Sequence, residues 1–162
     1  MSNTKIYLVA CGGHGRVVLD ALLSSQQTIH GVVDANITIG TEIFGVKVVG
    51  GDDVIKTFDP KVTQLVNGFG STGSSRKRME TFEHWSKSGF KFRGVIHKAA
   101  SIGAECKIAS SAQIMAGAVL QNRVSVGENV VINTRASIDH DVVIADHAVI
   151  SPGAIISGSV KI

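Results

Sequence analysis

Large rings are scarce in this chain: aromatic residues make up 5% of its 162 residues, with one Trp and one Tyr. That composition points to a core of small and branched aliphatic side chains, not one of large rings. Proline occurs twice and cysteine twice, which excludes a Pro-rich linker protein and a disulfide scaffold. Cys11 and Cys106 stand far apart in the sequence. They read as buried free thiols in a reducing, cytoplasmic compartment, with neither a disulfide nor a metal site expected. Residues 1–10 hold a single lysine and too few apolar residues for a signal peptide or a bilayer span, so no membrane partner is expected. Charge is also modest: 18% of residues are charged, the net charge is +3 and the isoelectric point is about 9.0. The basic residues are dispersed, without the dense stripe that nucleic acid requires. What remains is 44% hydrophobic with 18 glycines and a mean hydropathy of +0.24. That is too apolar for a disordered chain and enough for one ordinary domain or two small ones.

Two rhythms divide the chain near residue 95. Before it, strand-like and helix-like runs alternate. Residues 5–10, 29–34, 46–50 and 62–69 read as strands, and residues 90–96 as a last one. Residues 12–25 open on glycines and continue at a helical period through Val17, Val18, Ala21 and Leu22. Asp52 is expected to cap a helical turn, and residues 71–89 to hold a helix between Ser75 and Gly89. Strand, helix and strand in this order predict a small Rossmann-like α/β domain with a parallel sheet over residues 1–95.

From residue 96 onward an aliphatic residue falls at every sixth position, twelve times without a miss, from Ile96 to Ile162. Four residues after each aliphatic comes a compact one, from Ala100 and Cys106 to Val160. Neither a helix nor a flat sheet has a period of six. A chain that turns a corner every six residues does, and three sides close a triangular coil of 18 residues. Coils then stack at the ordinary inter-strand spacing of roughly 4.8 Å. Residues 96–162 are expected to form nearly four coils of a parallel β-helix.

Several residues carry chemistry. His140 sits two residues after the inward Ile138, where nothing in a core calls for it. A neutral imidazole accepts a proton near pH 7, which an amine or hydroxyl must lose when it attacks a thioester. Asp139 and Asp141 flank it, and a carboxylate on the second ring nitrogen fixes the tautomer. Gly12, Gly13, His14 and Gly15 follow the first strand and open the first helix. Such a turn lets phosphate or sugar oxygens reach backbone N–H groups, though a tight strand-to-helix turn is an equally good reading of it alone. The dinucleotide fingerprint is not met, since Ala10 stands where its first glycine belongs. Asp34 ends the second strand, 19 residues past Gly15, where an acid meets a ribose or base in related sheets. Arg76, Lys77 and Arg78 read as a solvated helix face.

Residues 9–22 (VACGGHGRVVLDAL), the repeat array and residues 130–141 (VVINTRASIDHD), in this order, resemble one family. It is the NeuD-type sialic-acid O-acetyltransferase and UDP-4-amino-sugar N-acetyltransferase group of hexapeptide-repeat sugar acyltransferases. The resemblance implies a left-handed β-helix and acetyl transfer from acetyl-CoA to a UDP-linked amino sugar, in a bacterial glycan pathway. Sialic-acid O-acetylation and a non-catalytic nucleotide-binding, oligomerising homologue are the alternatives. It implies His140 as base, Asp141 as its acid partner, and Gly12, Gly13, His14, Gly15 and Asp34 as acceptor-binding groups. Asn133 matches a family Asn-Thr pair, and could bind the acceptor or coenzyme or satisfy a corner backbone group. Gly158 matches a glycine whose backbone approaches the acceptor. The family's second histidine would stand at Val149, so His147 carries no such role and reads as a surface residue.

The family packs its prisms as homotrimers with sites between neighbours. Apolar outward residues Met115, Val119, Val131 and Val143 are expected to serve that contact. The array ends at Ile162 on an inward position, part-way through the fourth coil, and reads as cut short relative to the family.

Overall fold

Parallel strand pairing organises both halves of the molecule. The structure, a computed structural model, describes residues 4–71 and 75–162. Its contacts divide the chain into two units, Met1–Arg93 and Gly94–Ile162.

In the first unit β1 (Lys5–Val9), α1 (Gly13–Ser24), β2 (Gly31–Val33), β3 (Glu42–Ile43), β4 (Val46–Gly50), β5 (Thr63–Asn67), α2 (Arg76–Lys87) and β6 (Lys91–Phe92) follow one another. The sheet order is β3-β4-β2-β1-β5-β6, parallel except for the β3–β4 hairpin. Strand β1 lies at the centre, between β2 and β5. Helix α1 buries Val18, Ala21 and Leu22 as its spacing predicts, and Leu19 beside them, whereas Val17 of the expected face is 47% exposed. All eight aromatic rings of the chain fall before residue 93. Trp85, Phe90 and Phe92 join Val9, Val33, Ile55 and Leu65 in one core, with Trp85 and Phe90 edge to face at 5.7 Å.

Two local expectations fail here, and one hairpin was not foreseen. Asp52 does not cap a helix: the turn is 3-10 over Asp52–Thr57, with Gly51 at its N-cap and no side-chain cap. Residues 90–96 are not one strand. The chain leaves the sheet after β6, and residues 95–96 pair in the second unit. The hairpin was missed because β3 is two residues long and its turn, Phe44-Gly45, holds a non-glycine at φ 49°. Ser75 stands at the N-cap of α2 without a side-chain bond, and Gly89 follows its end at φ 91°. Residues 72–74, within the segment expected to hold this helix, lie outside the described residues, as do residues 1–3.

The second unit is a parallel β-helix. Two-residue strands β7 (Val95–Ile96), β8 (Ser101–Ile102), β9 (Lys107–Ile108), β10 (Gln113–Ile114), β11 (Val119–Leu120), β12 (Ser125–Val126), β13 (Val131–Ile132), β14 (Ser137–Ile138), β15 (Val143–Ile144), β16 (Val149–Ile150) and β17 (Ile155–Ile156) recur every six residues. They form three sheets, β7-β10-β13-β16, β8-β11-β14-β17 and β9-β12-β15. Each strand pairs with the one 18 residues away, as Ile114 does with Ile96 and Ile132. The aliphatics and the compact residues between them form a single column of core, from Ala112 to Ile150. At each corner from Gly117 to Ser159 the residue three after the inward aliphatic takes a positive φ, though only two of these residues are glycine.

Stacking, not the side chain alone, decides burial. Ile132, between two coils, is fully buried, while Ile102 in the first coil is 37% exposed. Ile132→Ala should cost about 2–5 kcal/mol in denaturant unfolding and Ile102→Ala clearly less, because an exposed site leaves no sealed cavity.

Candidate active site

One corner of the β-helix gathers the chemistry. Strand β14 ends at Ile138, and the chain turns through Asp139, His140 and Asp141 before β15. Asp141 occupies the left-handed position at φ 62°, which turns its carboxylate back toward the preceding ring. His140 Nδ1 lies 2.8 Å from Asp141 Oδ2, and the His140 side chain is 52% exposed. Asp139 Oδ1 accepts the His140 N–H at 2.8 Å.

A residue from the previous coil completes the group. Arg123 stands one coil before Asp141 and donates from Nε to Oδ1 at 2.6 Å and from Nη2 to Oδ2 at 2.8 Å. These bonds, first to Arg123 and then to His140, hold the Asp141 carboxyl well below the usual carboxylate range. An ionised carboxylate only accepts, so the proton of the His140–Asp141 bond sits on Nδ1. In the neutral ring Nε2 then carries the lone pair and can take a proton from an incoming nucleophile.

Gly158, one coil after His140, forms the floor beneath the ring. A Cβ there would lie 2.7 Å from both Cε1 and Nε2 of His140. Its closeness to the imidazole is a reason for glycine that the sequence reading did not contain. Arg123 was missed altogether, although the coil length of 18 residues was enough to pair it with Asp141.

The other candidate residues lie elsewhere. Asn133 is at the preceding corner, on the far side of β14, where its Oδ1 accepts the Thr134 N–H at 2.9 Å. That bond satisfies a corner backbone group, as one of the two readings of Asn133 expects. His147, at the corner after β15, is half-buried with Nδ1 3.0 Å from Asn129 Nδ2. Met115 and Val131 are buried within the single chain, so they are unavailable to an intersubunit contact; Val119 is half-buried and Val143 is 41% exposed. Cys11 and Cys106 are both free, and burial pushes the Cys11 thiol up.

In the first unit the glycine turn meets the acid expected of it. Ala10 takes φ 69°, and its carbonyl closes against Gly15, where a Cβ would lie 2.3 Å from that oxygen. Gly12 and Gly13 are exposed with open space around them, and Gly12 caps α1 without a side chain. A helix end of this kind offers N–H groups with no partner inside the helix. Asp34 Oδ2 accepts the Cys11 N–H and Oδ1 accepts the Asn36 N–H, both at 2.8 Å. Asp34, Asn36, Asp52, Phe69 and Lys77 line a small cavity of about 50 Å³, with Lys77 Nζ 4.8 Å from the centre of the Phe69 ring. His14 is half-buried against Gly70.

The basic run in α2 is only partly a solvated face. Arg78 is buried, donating from Nη1 to the carbonyls of Asn67 and Phe69, while Asn67 Nδ2 donates to the Arg78 carbonyl. Burial pushes its guanidinium down to about 10.

Each unit matches a known protein family. Residues 5–84 match the PglD N-terminal domain, and residues 123–158 match the bacterial transferase hexapeptide, six repeats. The chain belongs to the hexapeptide-repeat sugar acyltransferases. Among solved structures this acyltransferase is similar to a histidine-to-asparagine variant of perosamine N-acetyltransferase from Caulobacter crescentus, in complex with CoA and GDP-perosamine. That likeness has 25% identity and a TM-score of 0.87, over 97% of this chain and 73% of the other. It is also similar to the acetyltransferase domain of PglB from Neisseria gonorrhoeae FA1090 in complex with acetyl coenzyme A. The identity there is 28% and the TM-score 0.86, over 99% and 76%. WeeI from Acinetobacter baumannii AYE shares the fold at 17% identity and a TM-score of 0.64, over 95% and 81%. Among curated protein sequences none matches. No helix among the described residues is long and apolar enough to cross a membrane.

The lowered Asp141 carboxyl makes a prediction about pH. Its stabilising bonds exist above the unfolded carboxylate value and weaken as pH falls toward the lower folded value. The difference in melting temperature between the wild type and Asp141→Asn should stay level near neutrality and shrink below about pH 4. Asn tolerates the left-handed corner, which keeps the comparison clean.

Proposed function

We propose that this acyltransferase moves the acetyl group of acetyl-CoA to the amine of a nucleotide-linked amino sugar, with His140 as general base. The observation that carries this reading is the exposed imidazole whose Nδ1 is held by an ionised carboxylate, leaving Nε2 to accept a proton. The CoA and acetyl-CoA complexes of the perosamine and PglB acetyltransferases support the co-substrate. The GDP-perosamine complex supports a nucleotide-linked acceptor, and the resemblance over residues 9–22 is our ground for a uridine diphosphate carrier here.

In this mechanism the acceptor amine attacks the thioester carbonyl carbon while Nε2 takes the amine proton. The tetrahedral intermediate collapses with loss of the CoA thiolate, which is protonated to the free thiol. The product is the N-acetyl sugar. Asp141 acts through His140, keeping the proton on Nδ1 and stabilising the imidazolium as it forms. The N-terminus of α1, with Gly12, Gly13, His14 and Gly15, receives the diphosphate, and Asp34 and Lys77 frame the nucleoside end. A cytoplasmic setting fits a reaction fed by acetyl-CoA.

We also propose a homotrimer with His140 near the subunit boundary. The sheets on either side of its corner expose apolar outward residues: Val143 is 41% exposed and Ile155 is 81% exposed. Apolar residues left in water on both sheets beside the corner are the groups a neighbouring prism would cover. Light scattering over a dilution series tests this, and a monomer with full activity overturns it.

Thiol release from acetyl-CoA is the direct assay, with UDP-linked and GDP-linked amino sugars and free sialic acid as acceptors. Activity with a UDP-amino sugar supports the full reading, and activity confined to the GDP series corrects the carrier. Activity on sialic acid alone would make the enzyme an O-acetyltransferase. If nothing is acetylated and calorimetry finds UDP binding but no CoA binding, the chain is a binding module. His140→Ala should lower turnover by roughly 10²-fold or more. Gly158→Ala should also lower it, with melting little changed, because a methyl group there displaces the imidazole.

A further inference from the structure

We propose that Arg123 is a positioning residue for the acetyl transfer, holding the Asp141 carboxylate against His140 and keeping the imidazole in its neutral, proton-accepting form. The inference rests on the reading of His140 as base and goes beyond it.

The geometry supplies the first half. Asp141 follows His140 directly, so its short side chain meets the ring only when the carboxylate is turned back along its own corner. Both groups are substantially exposed, at 52% for His140 and 35% for Asp141. A lone ion pair in such a place competes with water and is weakly held. The Arg123 fork removes that freedom, because two parallel bonds at 2.6 Å and 2.8 Å fix the plane of the carboxylate as well as its distance. Oδ2 is shared between Arg123 Nη2 and His140 Nδ1, each at 2.8 Å. The result is an unbroken chain of guanidinium, carboxylate and imidazole.

Charge supplies the second half. Asp141 alone would favour the imidazolium and so fill Nε2 with a proton. The permanent positive charge of Arg123, bonded to the same carboxylate, offsets this attraction. The other charged groups nearby are few. Asp139 uses Oδ1 on the His140 backbone N–H, and Glu105, two coils before Asp141 in the same corner column, lies on the far side of Arg123. The coil below places the uncharged Gly158 and Ser159 at this corner, and its Lys161 pairs beside Val143, two residues past Asp141. Along this corner the charges therefore alternate as Glu105, Arg123 and Asp141, one coil apart.

The test uses Arg123→Asn and Arg123→Lys in the full chain. Arg123 has φ 61°, a conformation that Asn accepts and Ala does not, so Asn removes the fork with little strain. Lys keeps the charge without the fork. With kcat and KM measured across pH, Arg123→Asn should lower kcat by about tenfold or more with little change in KM. The acid limb of kcat/KM should also move to higher pH, whereas in Arg123→Lys kcat falls and the limb stays nearer the wild type. NMR titration of the His140 ring gives a readout independent of turnover. Its midpoint should rise in Arg123→Asn. Full activity and an unmoved midpoint in a folded Arg123→Asn protein overturn the proposal. Wild-type protein that transfers no acetyl group, or an unaffected His140→Ala, instead overturns the reading of His140 as base, and the NMR arm still decides whether Arg123 governs the ring.

Discussion

The 18-residue register of the β-helix is the constraint from which the site follows. Each inward aliphatic is buried only when the coils before and after it lie in register, as Ile114 does between Ile96 and Ile132. A slip of one residue would turn every such side chain out of the core. The hydrophobic column therefore holds the corners in line as well. Residues 18 apart become neighbours, so Arg123 meets Asp141 and Gly158 underlies His140. The polar cluster is positioned by burial of residues that take no part in it.

That dependence explains what the sequence reveals and what it hides. The period of six was legible because twelve aliphatics repeat without interruption, and coil, strand positions and core follow from it. His140 and Asp141 were legible because they are adjacent and out of place on a hydrophobic repeat. Arg123 carries no local mark: an exposed arginine at a corner looks like any solvated charge until the coil length is applied to side chains as well as to the core. The outward residues show the converse limit. Met115 and Val131 read as exposed from their repeat positions, yet both are buried, because the repeat distinguishes inside from outside the prism but not what else covers its outer faces.

The first unit departs from expectation where side chains override local pattern. Arg78 looks like the end of a basic, solvated run, yet it is buried and clasps the carbonyls of Asn67, the last residue of β5, and Phe69 beyond it. The bonds to those carbonyls satisfy backbone acceptors and offset part of the cost of taking the guanidinium out of water. The glycine turn follows a related logic. The left-handed Ala10 carries its carbonyl into the space that side chains at Gly15 and Gly68 would occupy. The departure from the dinucleotide fingerprint thus falls at the residue that makes the turn tight.

An exposed histidine–aspartate pair faces a physical difficulty that a buried one does not. In a buried triad, low dielectric and packing hold the acid to the imidazole. On the rim of a β-helix, solvent screens the attraction and both side chains can rotate away. The corner answers with covalent proximity, placing the acid next to the histidine in a left-handed turn. It also uses glycine at the floor to admit the ring and a two-point clamp on the carboxylate from the coil above. Each of these is a backbone or stacking device, the kind of order a β-helix supplies without a deep pocket. The same stack that hides the aliphatics thereby gives a solvent-facing imidazole a defined orientation.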